Sequence, residues 1–276
     1  METPQESALQ HVAARSSGKE IDRTLPITIH FHPGRKFGGR WILDSLKNGG
    51  VYLSQFQTGT SNGGLTAYPG GDRWSWESRI FGNAYDDAPA SERPTYGSLN
   101  YKRLSEGGSP RFGSAHFRLK PAVLDRATFC YPDSVFNPEH FGVASKASDL
   151  IELAVTNSKD RLDDYIEAQV HGTLIIEEDA EALVLDPCFA GTEIEKLAKE
   201  LPCPVEWHRG FRLHVDELKR HPEYRGEEYV ELGVCLARNG YLDAKLIDDA
   251  ALTGIHDEQN LKRVWHYIAR YGSAER

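Results

Sequence analysis

Between Asp164 and Gly172 apolar and polar residues alternate one for one, with Ile166, Ala168 and Val170 set against Tyr165, Glu167, Gln169 and His171. Side chains on a strand repeat with period two, so the stretch predicts a strand with one apolar face. The other face carries a carboxylate, an amide and an imidazole in a row, turned towards chemistry or solvent. A register shift of one residue would drive that polar row into the core, so this strand constrains every strand that pairs with it.

Other segments share the pattern. Ile27 to Gly34 predicts a strand with Ile27, Ile29 and Phe31 inward and Thr28, His30 and His32 opposite, ended by Pro33-Gly34. Val51 to Gln57 predicts a second strand, which leads into the loop Thr58-Gly59-Thr60-Ser61-Asn62-Gly63-Gly64. Further strands are expected at Ser114 to Leu119, Ala127 to Tyr131 and Ala180 to Asp186. Helical signals are fewer here: a short N-terminal amphipathic helix on Ala8, Leu9, Val12 and Ala13, another over 40–47, and Trp74 to Phe81. That last helix lies inside a Gly-, Pro- and aromatic-rich segment, 65–101, expected to be a long loop lining a site.

Beyond Pro187 the pattern changes. Thr192 with Glu195 three residues on has the form of a capping box, and Ile194, Leu197, Ala198 and Leu201 follow helical spacing. Tyr229, Leu232, Gly233 and Leu236 repeat it, as do Leu261, Val264, Trp265 and Ile268. The expected architecture is α+β: a covering helix in 1–24, a β-rich domain over 25–190, and a helical region over 191–276 packed on it. Runs of strands followed by runs of helices argue against a doubly wound sheet.

Composition narrows the function classes. The 276 residues carry a net charge of -9, which disfavours broad binding to the phosphate backbone of nucleic acids. Cys130, Cys188, Cys203 and Cys235 form no CxxC pair and are expected to be reduced, mostly buried thiols. No apolar run approaches the roughly 20 residues of a membrane span, and no basic, apolar leader opens the sequence. The expectation is a cytoplasmic protein without a membrane partner.

Two constellations have the residue types for catalysis. His30, His32, Glu167 and His171 are ligand types for zinc or non-haem iron and would suit a metal-dependent hydrolase, although no carboxylate follows His32 until Asp44. The second is a strand histidine, a Gly-rich Thr/Ser loop after a second strand, and a glutamate on a late strand. Arg111 in Ser109-Pro110-Arg111-Phe112-Gly113 could grip a pyrophosphate through its two-pronged guanidinium, or sit in a surface ion pair. His116 is a candidate base or a half-exposed strand histidine. A third reading is a non-catalytic module that binds a partner through the aromatic segment 65–101.

Several stretches resemble a bacterial family known only as a domain of unknown function: Ile29 to Pro33 (IHFHP), Tyr52 to Gly64 (YLSQFQTGTSNGG), Ala67 to Trp76 (AYPGGDRWSW), Tyr96 to Asn100, Ser109 to Gly113, Glu167 to Gly172 (EAQVHG) and Lys262 to His266 (KRVWH). They run along nearly the whole chain. The order of histidine, loop and glutamate in turn resembles the ADP-ribosyltransferase superfamily, and Glu167 to Val170 is similar to the catalytic strand of DarT-like enzymes, which modify DNA.

That resemblance implies an ADP-ribosyltransferase-like split sheet and NAD as substrate. It implies Glu167 as the catalytic carboxylate, and His30 or His32, Tyr52, Thr58, Thr60, Ser61, Asn62 and Arg111 as NAD contacts. It also implies a protein or nucleic-acid acceptor, or water, and, for a toxin, a neutralising partner. The sequence departs from better-known transferases: Gln169 follows Glu167 instead of preceding it, and His-Phe-His-Pro-Gly stands in place of His-Gly-Thr. Which of His30 and His32 meets NAD is left open.

Overall fold

The computed structural model describes residues 2–59, 66–157 and 159–272. Its main strands are β1 (Ile27–Phe31), β2 (Thr95–Leu99), β3 (Ala115–Leu119), β4 (Ala127–Tyr131), β5 (His140–Val143), β6 (Ile166–Val170), β7 (Ala180–Leu185) and β8 (Val205–Trp207). They belong to a mixed sheet of eight strands. The longer helices are α1 (Pro4–Arg15), α2 (Ile42–Gly49), α3 (Asp72–Ile80), α4 (Ser148–Thr156), α5 (Glu193–Lys199), α6 (Glu227–Leu236), α7 (Ala244–Leu252) and α8 (Glu258–Tyr271). The chain is α+β, with a helical C-terminal region.

Two compact units divide the chain, and their segments interleave. The first comprises Met1–Ile29, Gly50–Ser109 and Phe117–Glu181; the second comprises His30–Gly49, Pro110–His116 and Ala182–Arg276.

In the first unit β6 lies between β2 and β4, antiparallel to both, with Glu167 opposite Ser98 on one side and Cys130 on the other. β1 continues the ladder beyond β2, pairing Thr28 with Ser98, and β5 continues it beyond β4. A strand paired on both edges has all its backbone polar groups satisfied, so its side chains decide what it can do. α1 begins with Pro4 after the Thr3 cap, whose hydroxyl accepts the Glu6 N–H at 3.2 Å while the Glu6 carboxylate accepts the Thr3 N–H at 2.8 Å. Its Ala8 and Val12 are buried in one cluster with Ile80, Phe81, Tyr85, Phe141 and Val143.

In the second unit β7 and β8 pair in parallel, Leu183 opposite Val205. α8 starts at the Asp257 cap, whose carboxylate accepts from the N–H groups of Gln259 and Asn260. Leu261, Val264, Trp265 and Ile268 are buried as their spacing predicts, each contributing about 1.5–3 kcal/mol of burial for its size.

Five expectations need correcting. The strand expected over 51–57 lasts only for Val51–Tyr52; Ser54 then caps a single helical turn, Gln55–Thr58, by accepting the Gln57 N–H. The Thr192 capping box does not form, because the Thr192 hydroxyl donates to the Phe189 carbonyl and Glu195 accepts from Gly191 N–H. The segment 65–101 is not wholly a loop around one helix; it supplies β2. Of the four cysteines expected to be mostly buried, only Cys130 is; Cys188 and Cys203 are half-buried and Cys235 is exposed. Finally, the polar face of β6 is neither solvated nor open: every residue from Ile166 to Val170 is buried.

Candidate active site

Alternation along β6 puts Glu167 and Gln169 on one face, both buried, while the neighbouring strands pair along the two edges of β6. Glu167 is 6% exposed. Its Oε1 accepts the Gln169 side-chain N–H at 2.9 Å and faces the Cys130 thiol at 3.7 Å. Its Oε2 accepts the Ser134 hydroxyl at 3.1 Å and the Ser134 backbone N–H at 3.4 Å. Ser134 opens the turn after β4, where Asp133 accepts the Val135 N–H and the Tyr165 hydroxyl. Burial, and then the Asp133 charge, push the Glu167 carboxyl above its ordinary range, while Arg73 and the Gln169 and Ser134 bonds pull it back.

The bonds leading to Glu167 have one consistent direction. The Thr128 hydroxyl donates to the Gln169 side-chain oxygen at 2.8 Å, so its one proton is spent and it must accept from His171 Nε2 at 2.9 Å. His171 is therefore protonated on Nε2, and its Nδ1 accepts from the Tyr85 hydroxyl at 2.7 Å. Tyr85 to His171 to Thr128 to Gln169 to Glu167 is then a chain of donors all pointing at one carboxylate oxygen. Burial, with help from Arg126, lowers the His171 pKa to about 3, so the ring is neutral, as the chain requires. Chains of this kind polarise one another in a low-dielectric interior, and the last acceptor gains most when it is negative.

A second buried group stands beside this one. On α3, Arg73 and Glu77 share a face at helical spacing. Glu77 is fully buried, accepting from Arg93 at 2.6 Å and from the Tyr96 hydroxyl at 3.0 Å; burial, partly offset by Arg93, raises its pKa to about 7. Arg73 is 6% exposed, with its guanidinium 4.2 Å from the centre of the Tyr96 ring. Its Nε and Nη1 are buried without a hydrogen-bond partner. Buried guanidinium donors rarely stay unsatisfied, so an acceptor brought in by a ligand would complete them.

The expected site residues divide between the units. Glu167, Tyr52 and Thr58 belong to the first; the Tyr52 ring stands edge-on to Phe117, and the Thr58 hydroxyl reaches back to the Ser54 carbonyl at 3.3 Å. Thr60, Ser61 and Asn62 lie outside the described residues. His30, His32 and Arg111 belong to the second unit. There His30 donates from Nδ1 to the Gly113 carbonyl at 3.0 Å and stacks on His116, which is buried rather than half-exposed. His32 lies 3.4 Å from Asp248, which also accepts from Gly34 N–H and Arg35 Nε. Both nitrogens of His171 are engaged in the donor chain, and no group suited to hold a metal occurs among the described residues.

Sequence reasoning missed Thr128, Tyr85, Ser134, Arg73, Glu77, Arg93 and Tyr96. One signal was present for two of them: Arg73 and Glu77 are four apart, Glu77 within the helix expected at Trp74 to Phe81 and Arg73 just before it, an opposite-charge pair in an aromatic setting. The others are brought in by pairing across strands and by turns that no local pattern encodes.

A mixed sheet with an embedded, hydrogen-bonded carboxylate defines a class of architecture. The chain belongs to the family described as a protein of unknown function, DUF3626, which it matches over residues 26–161 and 143–271. It is also similar to the Gene 2 protein of Mycobacterium phage D29, 27% identical over 189 residues, covering 59% of this chain and 69% of that protein. No helix among the described residues is long and apolar enough to cross a membrane.

Proposed function

We propose that this protein consumes NAD, as an ADP-ribosyltransferase or an NAD glycohydrolase, with Glu167 as the carboxylate that stabilises the transition state. The observation that carries the reading is the one-way donor chain ending on Glu167 Oε1, which holds that carboxyl oxygen in fixed orientation inside the protein. Cleavage of a glycosidic bond passes through an oxocarbenium-like state, and a preoriented carboxylate lowers its energy without reorganising at the moment of reaction. The bond between the ribose anomeric carbon and the nicotinamide nitrogen breaks, and its electron pair leaves with nicotinamide. An acceptor oxygen or nitrogen then bonds to that carbon and gives its proton to solvent.

Arg73 supports the reading, because its buried and unpartnered Nε and Nη1 suit an anionic part of the substrate. The contacts expected at His30, His32 and Arg111 are tested by single substitutions in the same assay.

The test is NAD turnover by the purified chain with labelled NAD and cell lysate, with protease and nuclease arms to tell protein from nucleic-acid acceptors and nicotinamide release to detect water as acceptor. Glu167→Gln is expected to lower turnover by roughly 10²–10³-fold while leaving the fold intact. Turnover equal to wild type in Glu167→Gln, or no NAD consumption by wild type with any acceptor, overturns the proposal.

A further inference from the structure

The second unit holds a buried histidine that nothing in the candidate active site uses. His266 lies on α8, fully buried, and neither of its ring nitrogens has a hydrogen-bond partner. An imidazole with both polar atoms orphaned in a protein interior is costly, because each has given up its bonds to water and found no replacement. Its surroundings are cationic. Lys262 stands one helical turn before it on the same face of α8. The Trp265 indole N–H donates to the Pro110 carbonyl at 2.9 Å, which fastens the short turn Pro110–Phe112, and with it Arg111, to this stretch of the helix. The Tyr267 hydroxyl accepts the Arg225 backbone N–H at 3.0 Å and so brings Arg225 to the same part of α8, and the Arg225 Nε is also buried without a partner.

We propose that Arg111, Arg225, Lys262 and His266 form a binding site for a phosphate group, carried by a phosphomonoester or by a pyrophosphate. Phosphate fits the set: its oxygens accept the fork of an arginine and the point charge of a lysine, and one oxygen takes the N–H of His266. A bound dianion eases both peculiarities, since it accepts the His266 N–H and the Arg225 Nε–H and relieves the crowding of like charges. That crowding is marked. Burial, followed by the charges of Arg111, Arg225, Lys262 and Arg263, drives His266 down to about 2, and burial with the neighbouring arginines brings Lys262 to about 8. The site does not rest on the Glu167 reading and stands whether or not NAD is the substrate.

The experiment is equilibrium binding of inorganic phosphate and of pyrophosphate to the full chain, by titration calorimetry at constant ionic strength set with chloride. The wild type, Glu167→Gln, Lys262→Gln and Arg111→Gln are compared, with thermal unfolding showing that each is folded. Saturable phosphate or pyrophosphate binding is expected, unchanged in Glu167→Gln and roughly tenfold weaker in each of the other two, the scale of one charge-assisted hydrogen bond. Tighter binding of pyrophosphate identifies a diphosphate ligand, and tighter binding of phosphate a monoester. Lys262 and Arg111 are only half-buried, so these variants keep the core. No saturable binding by the wild type, or binding that Lys262→Gln and Arg111→Gln leave unchanged, overturns the proposal.

Discussion

Thr128 shows how much can depend on one hydroxyl. It is fully buried and joins His171 to Gln169, accepting from the first and donating to the second. Thr128→Val keeps the shape and removes both bonds, leaving the His171 Nε2–H and the Gln169 oxygen buried without partners. The expected cost is about 2–4 kcal/mol in urea denaturation, the penalty of two orphaned groups, while Thr128→Ser stays close to wild type. Equal stability of the Val and Ser variants would show that the chain of donors is not a connected unit. The identities of Glu167, Gln169 and His171 were legible as a polar row, because strand periodicity is local. Their direction of donation was not, since it is set by Thr128 and Tyr85, which lie 39 and 82 positions before Glu167.

Among the elements, β1 was readable from its own residues, yet its end is decided by a distant turn. A Cβ on Gly113 would fall 2.2 Å from the Phe31 carbonyl carbon and oxygen, and the backbone there has φ +154°. The same Gly113 carbonyl receives the His30 N–H. Gly113→Ala is therefore expected to force the turn away from β1 and to cost more than about 3 kcal/mol, read as lost soluble protein or a large fall in the unfolding midpoint. A mild effect would mean that the turn gives way easily. β2 lies in a segment whose Gly, Pro and aromatic content reads as loop; it becomes a strand because β1 and β6 pair with its two edges. Conversely Gln55–Thr58 leaves the expected strand because Ser54 and Gln57 cap each other, a local bond that competes with the ladder.

For the molecule as a whole, buried ionisable groups make stability depend on pH in opposing ways. Burial lowers His30 and His171 to about 3 and His266 to about 2, so the unfolded chain binds more protons than the folded one between those values and about 6.5. Their contribution is complete above 6.5 and is lost as pH falls. Glu77, raised to about 7 by burial, acts the other way: its contribution is complete below about 4.5 and is lost as pH rises to 7, and Glu167 shifts in the same sense. The clean test is a difference. Between pH 4.5 and 6.5, His171→Gln should lower the slope of unfolding free energy against pH by about 1.4 kcal/mol per unit, one proton's worth, relative to wild type. Identical slopes would mean that His171 is not buried neutral.

The sequence by itself determined the α+β class, most of the strands and the buried faces of the principal helices, because those follow from spacings of two and of three or four residues that each segment carries internally. It also singled out Glu167 and its neighbours by their place in an alternating strand. Only the tertiary structure decided that the polar face of β6 is enclosed rather than open, that His171 serves as a link in a donor chain, and that Arg73 and His266 keep buried nitrogens without partners. Those outcomes depend on which strands and turns far along the chain close over a side chain, and burial and hydrogen-bond direction are properties of the assembled neighbours, not of any one stretch.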